Sequence, residues 1–170
     1  MRTRMPALCL IIASLSMASA SRLAAQDSAP TVSIDACDLV SSADVQKVTG
    51  RPARKAPSRL SDAQSTQSYC GYRDAAVRIT LFSRASAAQK HVYQELEVGG
   101  FDKAKQTVAG VGDSAAIYFK PKGKSSEGFL VTYAGTRTLT IGVEVDQGQR
   151  SESARPFAVG LAKIALAKLN

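Results

Sequence analysis

The clearest alternation of hydrophobic and polar residues lies in residues 128–145. Every second residue of residues 139–145 is aliphatic, and most positions between them carry threonine or glutamate. This pattern is typical of an antiparallel strand with one buried face. The preceding run, residues 129–133, is apolar on both faces. The two runs together predict a β-hairpin at the centre of a sheet.

The turn between these runs sets the pairing of the predicted hairpin. Gly135 and Thr136 suit a two-residue type II′ turn, because glycine accepts the positive φ of the first central position. Such a turn pairs Leu130 with Ile141. A loop one residue longer would place Val131 opposite Ile141 and bring the other face inward. We favour the shorter loop because of the glycine.

Three other stretches carry helix signals. Ser41 followed by Asp44 is typical of a capped helix start, and Gly50 is typical of a helix end. Pro156 fits only the first turn of a helix, and the Ala-, Leu- and Lys-rich residues after it present an apolar stripe that we expect to cover the sheet. The predicted helices are residues 41–50, Ser86–Val98 closed by Gly99 and Gly100, and Ser151 onward.

Further strands are predicted at residues 69–72, 76–82 and 116–119. The pair Gly110 and Gly112 before the last of these resembles a phosphate-binding loop, which requires a helix after the glycines. A strand pattern follows instead. We therefore predict a structural turn in which Gly110 and Gly112 take positive φ and Asp113 accepts hydrogen bonds from backbone amides.

The N-terminus has the three-part pattern of a secretory signal peptide: a basic start, a short apolar core and small residues. The apolar run is too short to span a membrane comfortably. Cleavage after Ala20 is possible, but we favour cleavage after Ala25, which leaves 145 residues and lowers the net charge from +8 to +5. We predict a signal peptide at residues 1–25, a disordered lead-in at 26–34 and one domain at 35–170.

Two cysteines, Cys37 and Cys70, remain after cleavage, since Cys9 leaves with the leader. An even pair in an exported chain predicts a disulfide. It would close a loop of about 34 residues, for which loop-closure entropy gives roughly 3.5–4 kcal/mol. A metal pair or a reactive thiol is the alternative, but neither cysteine has a nearby histidine or second cysteine.

Candidate binding residues are mainly basic and lie in two polar loops that could contact an anionic partner. No aromatic residue is interleaved among the bases of the first loop, so nucleic acid is not the expected partner. His91, the single histidine, follows Lys90 on the predicted polar side of its helix. Glu95 and Glu97 do not face each other as an acid pair would. The candidate basic residues are Arg51, Arg54, Lys55, Arg59, Lys120, Lys122 and Lys124.

The order of these motifs resembles small exported bacterial domains of unknown function, common among lipoproteins and related to the PsbP-like superfamily. The resemblance rests on the Cys-Asp-Leu-Val-Ser-Ser-Ala-Asp-Val run from Cys37, the Tyr-Cys-Gly-Tyr run around Cys70 and the Val-Ala-Gly-Val-Gly-Asp-Ser-Ala run from Val108. It implies an antiparallel sheet covered by the first and last helices and a disulfide between Cys37 and Cys70. It brings no catalytic residues, and this chain lacks a usable lipidation cysteine.

We therefore expect an α+β fold in which an antiparallel sheet is packed by N- and C-terminal helices. We expect a non-enzymatic binding or accessory domain of the cell envelope, periplasmic or secreted. Its expected partner is an envelope protein or a small ligand. An envelope hydrolase with a site assembled only in space, or an inhibitor acting through its basic loops, is the alternative. We expect a monomer without metal, cofactor or transmembrane segment. The open face of the sheet would be the natural site.

Overall fold

Residues 34–56, 66–83, 85–102, 105–120 and 126–169 are described in the computed structural model, and they belong to one compact unit. The predicted signal peptide and lead-in up to residue 33 lie outside these ranges. Ile34, the last residue of the predicted lead-in, packs partly buried against the hydrophobic core.

Six antiparallel strands form one sheet in the spatial order β1-β2-β6-β5-β4-β3. The central pair is the predicted hairpin, and Leu130 pairs with Ile141 as the two-residue turn requires. Gly135 takes a φ of +56° in that turn. The strands are β1 (Gln67–Tyr72), β2 (Val77–Phe82), β3 (Gln106–Thr107), β4 (Ser114–Phe119), β5 (Ser126–Ala134) and β6 (Arg137–Val145).

Four α-helices surround the sheet, and a 3-10 turn, Ser151–Ala154, leads into the last. The predicted capping box is confirmed, because Ser41 and Asp44 bond each other's backbone amides. The helix predicted to begin at Ser86 begins one residue earlier, at Ala85, so Ser86 lies inside its first turn and is not its N-cap. The helices are α1 (Ala36–Leu39), α2 (Ser42–Thr49), α3 (Ala85–Val98) and α4 (Arg155–Ala167).

The two faces of the sheet differ in their side chains and in their cover. On the core face, one apolar row crosses four strands, helices α1 and α4 pack over it, and helix α2 packs against α4. The row is Ile79, Ile141, Leu130 and Ile117. On the opposite face, here called the α3 face, the adjacent row is mixed, and helix α3 packs against β2 and β6. This second row is Arg78, Gly142, Phe129 and Tyr118.

The predicted disulfide is confirmed and ties helix α1 to the sheet. Cys37 in α1 and Cys70 in β1 have an S–S distance of 2.07 Å and a Cα–Cα distance of 5.0 Å. Both cysteines are buried in the main core. The α+β class and the antiparallel sheet are therefore confirmed, and none of the helices in the described ranges is long and apolar enough to cross a membrane.

Candidate functional site

Four charged side chains from four elements meet on the α3 face and are here called the charged cluster. Arg78 comes from β2, Glu95 from α3, Lys120 from the end of β4 and Glu127 from β5. Strand pairing explains the assembly, since only β6 lies between β2 and β5, and the backbone amide of Lys120 donates to the carbonyl of Glu127.

Glu127 is the buried centre of the charged cluster, with a residue exposure of 1%. Its Oε1 forms an ion pair with Arg78 Nη2, and its Oε2 lies 2.9 Å from Lys120 Nζ. The second contact is not aligned as a hydrogen bond, so Oε2 has no hydrogen-bonded partner in the described part of the chain. A buried carboxylate is costly unless it is paired, and here two cations compensate its charge.

Arg78 connects this buried centre to helix α3. Its Nη2 lies 3.1 Å from Glu95 Oε2 as well as against Glu127. Gly142 of β6 pairs with Arg78 of β2 and makes room for the Arg78 side chain. A Cβ at residue 142 would lie 2.5 Å from Arg78 Nε and 2.9 Å from Glu127 Oε1. The absence of a side chain there lets Arg78 lie flat across the sheet.

Aromatic rings form the floor beside the charged cluster. The His91 ring centroid lies 5.1 Å from that of Phe82 and 6.0 Å from that of Phe129. Phe101 packs 5.4 Å from Phe129, and Lys120 Nζ lies 4.9 Å above the Phe101 ring. The Lys120 ammonium is thus oriented by an aromatic face as well as by Glu127.

His91 does not lie on the polar side of its helix as predicted, because its ring faces the sheet. Its ring is half-buried against the sheet, and this burial lowers the pKa of the imidazole, whereas Glu95 opposes the shift and Arg78 adds to it. Helical spacing accounts for the position, since His91 follows the buried Ala88 by three residues and so shares its face. The neighbouring Lys90 therefore does not indicate which face of the helix carries His91. Glu95, four residues beyond His91, also turns toward the sheet.

An open depression of about 410 Å³, here called the α3 depression, lies beside the charged cluster. Arg78 separates it from a second depression of about 370 Å³, to which Glu127 and Glu144 contribute. Side chains that can donate hydrogen bonds predominate in the lining of the α3 depression. The residues lining it are Arg78, His91, Gln94, Glu95, Val98, Gly99 and Lys120.

The predicted basic residues do not gather into one patch within the described ranges. Arg51 donates to the carbonyl of Glu144 at 2.8 Å and forms an ion pair with Asp146 at 3.1 Å. Arg54 pairs with Asp74 at 2.7 Å. These two cations brace the loop around them. Arg59, Lys122 and Lys124 lie outside the described residues.

Two further predicted bases have different roles. Lys55 Nζ donates to the carbonyl of Cys37 at 2.6 Å, so it supports the end of helix α1 beside the disulfide. Lys120 belongs to the charged cluster and lines the α3 depression. It is the predicted basic residue that the structure places in a candidate site. Its three partners there, Arg78, Glu95 and Glu127, were missed.

The glycine turn before β4 braces the central hairpin. Gly110 and Gly112 have φ values of +70° and +58°, and β4 follows them. Asp113 Oδ2 accepts a hydrogen bond of 2.7 Å from the backbone amide of Gly135. A Cβ on Gly112 would collide with the carbonyl of Tyr133. The turn and the hairpin also border an open depression of about 550 Å³, beside Arg137 and the end of α4.

The charged cluster can hold a charged group of a ligand through Arg78 and Lys120. Both carboxylates in it are ion-paired with these cations. Across the described ranges, no three histidine, cysteine, aspartate or glutamate side chains are arranged to bind a metal ion.

Comparisons with known proteins do not identify a family for this chain. No family model matches the chain, and no curated protein sequence does. A solved structure of a mutant of the protein Mog1 is similar to 69% of this chain and 81% of its own, with 14% sequence identity and a TM-score of 0.37. A similarity at this level supports no argument about function.

Proposed function

We propose that this chain is an exported, non-enzymatic binding module of the cell envelope and that the α3 depression is its ligand site. Export rests on the leader-like N-terminus and agrees with the disulfide between Cys37 and Cys70. We also propose that its fold is PsbP-like. The antiparallel sheet with its first and last helices on one face supports that assignment.

The observation that carries the proposed site is the burial of Glu127 behind two cations. A buried ion cluster is rarely the most stable way to fill a sheet surface, because similar apolar residues avoid the desolvation cost. Here Arg78 and Lys120 keep 35% and 23% of their side-chain surface exposed, and both line the α3 depression. Glu127 thus holds two cations at a surface where a ligand can reach them.

A purely structural role is the competing explanation for these ion pairs. The Arg78–Glu95 contact also attaches helix α3 to the sheet. An ion pair near the surface contributes only about 0–1 kcal/mol. This attachment does not account for Lys120, whose ion pair is with the sheet residue Glu127. The position of Lys120 favours a ligand site.

A native mass spectrum of the protein recovered from the envelope fraction of its host tests this proposal. The expected mass is that of residues 26–170 less two hydrogens, with additional mass from a retained ligand. The Arg78→Met variant should lose the additional mass and keep the rest. An intact leader or reduced cysteines would overturn the envelope assignment. A retained ligand that survives Arg78→Met would overturn the site.

A further inference from the structure

We propose that the α3 depression binds the carboxylate or phosphate group of a small anion and that this group replaces Glu95 on Arg78. The inference rests on the proposed function, since it names the ligand class of the same site. The two carboxylates that contact Arg78 Nη2 differ in burial. Glu127 has 2% of its side-chain surface exposed, whereas Glu95 has 22% exposed and lies 3.1 Å away.

The two carboxylates also lie at different places in the fold. Glu127 lies on β5 in the middle of the sheet, between two paired neighbours. Glu95 lies on α3, near a helix end followed by Gly99 and by Gly100 at a φ of +71°. A rotamer change toward solvent would separate the partly exposed Glu95 from Arg78, whereas the side chain of Glu127 is almost fully enclosed. Glu95 is therefore the replaceable partner.

Charge balance favours an anion in the vacated position. Arg78 and Lys120 carry two positive charges, and Glu95 and Glu127 carry two negative charges, so the charged cluster is neutral as it stands. Once Glu95 turns away, the remaining three groups carry a net positive charge at the α3 depression. An incoming oxyanion restores neutrality, and the guanidinium group suits the planar carboxylate or phosphate geometry.

A cationic ligand fits this site less well. It would have to displace Arg78 or Lys120 from Glu127. Arg78 is held flat over Gly142, and Lys120 lies over the Phe101 ring. Both cations are thus fixed by contacts besides their ion pairs. The amide of Gln94 lines the same depression and can donate to an oxyanion that bridges the two cations.

The test is a titration of the full chain, produced with its own leader and recovered from the envelope, in a buffer free of phosphate and carboxylate. The probes are inorganic phosphate and succinate, followed by backbone amide shifts in NMR spectra. Glu95→Gln should tighten binding by about twofold to fivefold, since an exposed competing ion pair is lost. Arg78→Met should weaken binding by about tenfold or more.

Glu97→Gln is the matched control, because it changes the same charge on the same helix and its residue does not line the depression. An equal gain in Glu97→Gln would show general electrostatics and overturn the exchange. Unchanged or weaker binding in Glu95→Gln, with native amide dispersion, would also overturn it. Tightening for phosphate alone assigns a phosphate ligand, and tightening for both probes or succinate alone assigns a carboxylate-accepting site. Both results support the exchange.

The two proposals can fail separately. If the native spectrum shows a retained mass that Arg78→Met abolishes, but neither anion binds to the Glu95→Gln variant, the site stands and the anion class is wrong. If Arg78→Met keeps the retained mass, the site itself is wrong. Arg78→Lys guards against a folding defect in Arg78→Met, since it retains the positive charge beside Glu127 and should recover part of the anion binding.

Discussion

The two faces of this sheet bury different kinds of side chain. The core face has an unbroken apolar row under three helices, with Ile141 and Leu161 fully buried between the layers. The α3 face has a smaller apolar cluster and also buries polar groups, among them Thr80, Thr140 and Glu127. Burying apolar surface contributes about 25 cal/mol per Å², whereas burying a paired charge contributes little. The core face therefore provides most of the stability, which leaves the other face free to hold a site.

The attachment of the helices shows the same contrast. Helix α1 is tied to β1 by the disulfide, and Lys168 of the C-terminal segment donates to the carbonyl of Asp38. The contacts that hold helix α3 include the partly buried Val92 and Leu96, the His91 stack and the Arg78–Glu95 ion pair. Tyr93 and Val98 of this helix are exposed. Helix α1 thus has a covalent attachment to the sheet, and α3 is held through noncovalent contacts.

A pair of leucine truncations gives the largest expected difference between the faces. Leu161→Ala removes a fully buried side chain from α4, and we expect it to lower the free energy of unfolding by about 2–5 kcal/mol. Leu96→Ala on α3 should lower it by about 1 kcal/mol, because the side chain is only partly buried. Urea unfolding measures both. Equal losses would show that both faces carry the fold.

Removal of the disulfide should have the next largest effect. The double variant Cys37→Ser with Cys70→Ser opens a loop between residues 33 apart in sequence, and we expect a loss of roughly 2–4 kcal/mol in unfolding free energy. The effect acts on the core face through α1. Anion binding at the α3 depression should remain unchanged under conditions where the variant is folded. Wild-type protein under reducing conditions is the control, and it should match the variant in stability.

Local patterns predicted the core face well. The alternation around Ile141 and the glycine at residue 135 determined the hairpin pairing, and Ser41 with Asp44 determined the start of α2. Each of these signals lies within a few residues along the chain. Helix α1 escaped prediction because its four residues are too few to show a helical period. The PsbP-like assignment stays a prediction.

The charged cluster could not be predicted by the same means. Its members belong to four elements, and the spatial strand order β2-β6-β5-β4 brings three of them together. Arg78 and Glu127 look like ordinary solvent-facing positions of alternating strands. One signal was present: Gly142 interrupts a β-rich run, and glycine inside a strand often marks the close approach of another group. That group is the Arg78 side chain.

Gly142→Ala tests whether the missing side chain at residue 142 makes room for Arg78. It should have a smaller effect on stability than the core variants. The new Cβ would lie too close to Arg78 Nε and Glu127 Oε1, so the guanidinium must shift. We expect a loss of about 1–3 kcal/mol in unfolding free energy. A double-mutant cycle with Arg78→Met provides the control, because the cost should largely disappear once the arginine is absent. A cost that is the same in both backgrounds would place the strain in the β6 backbone.

The smallest expected effect is a pH dependence carried by His91 on the α3 face. Phe82, Phe129, Arg78 and Glu95 surround its ring, and burial lowers its pKa in the folded protein. The unfolded chain then binds a proton more readily. Stability from this group is present above the ordinary histidine pKa of about 6.5 and is lost as the pH falls below it.

We therefore expect the urea midpoint of the wild type to fall more between pH 7.5 and pH 5.0 than that of His91→Phe, which keeps an aromatic ring between Phe82 and Phe129. Leu161→Ala serves as a control, since it weakens the core face and should retain the wild-type slope. If His91→Phe keeps the full slope, the titrating group lies elsewhere. If the slope disappears, acid weakens the fold through the attachment of α3, on the face where we propose the anion binds.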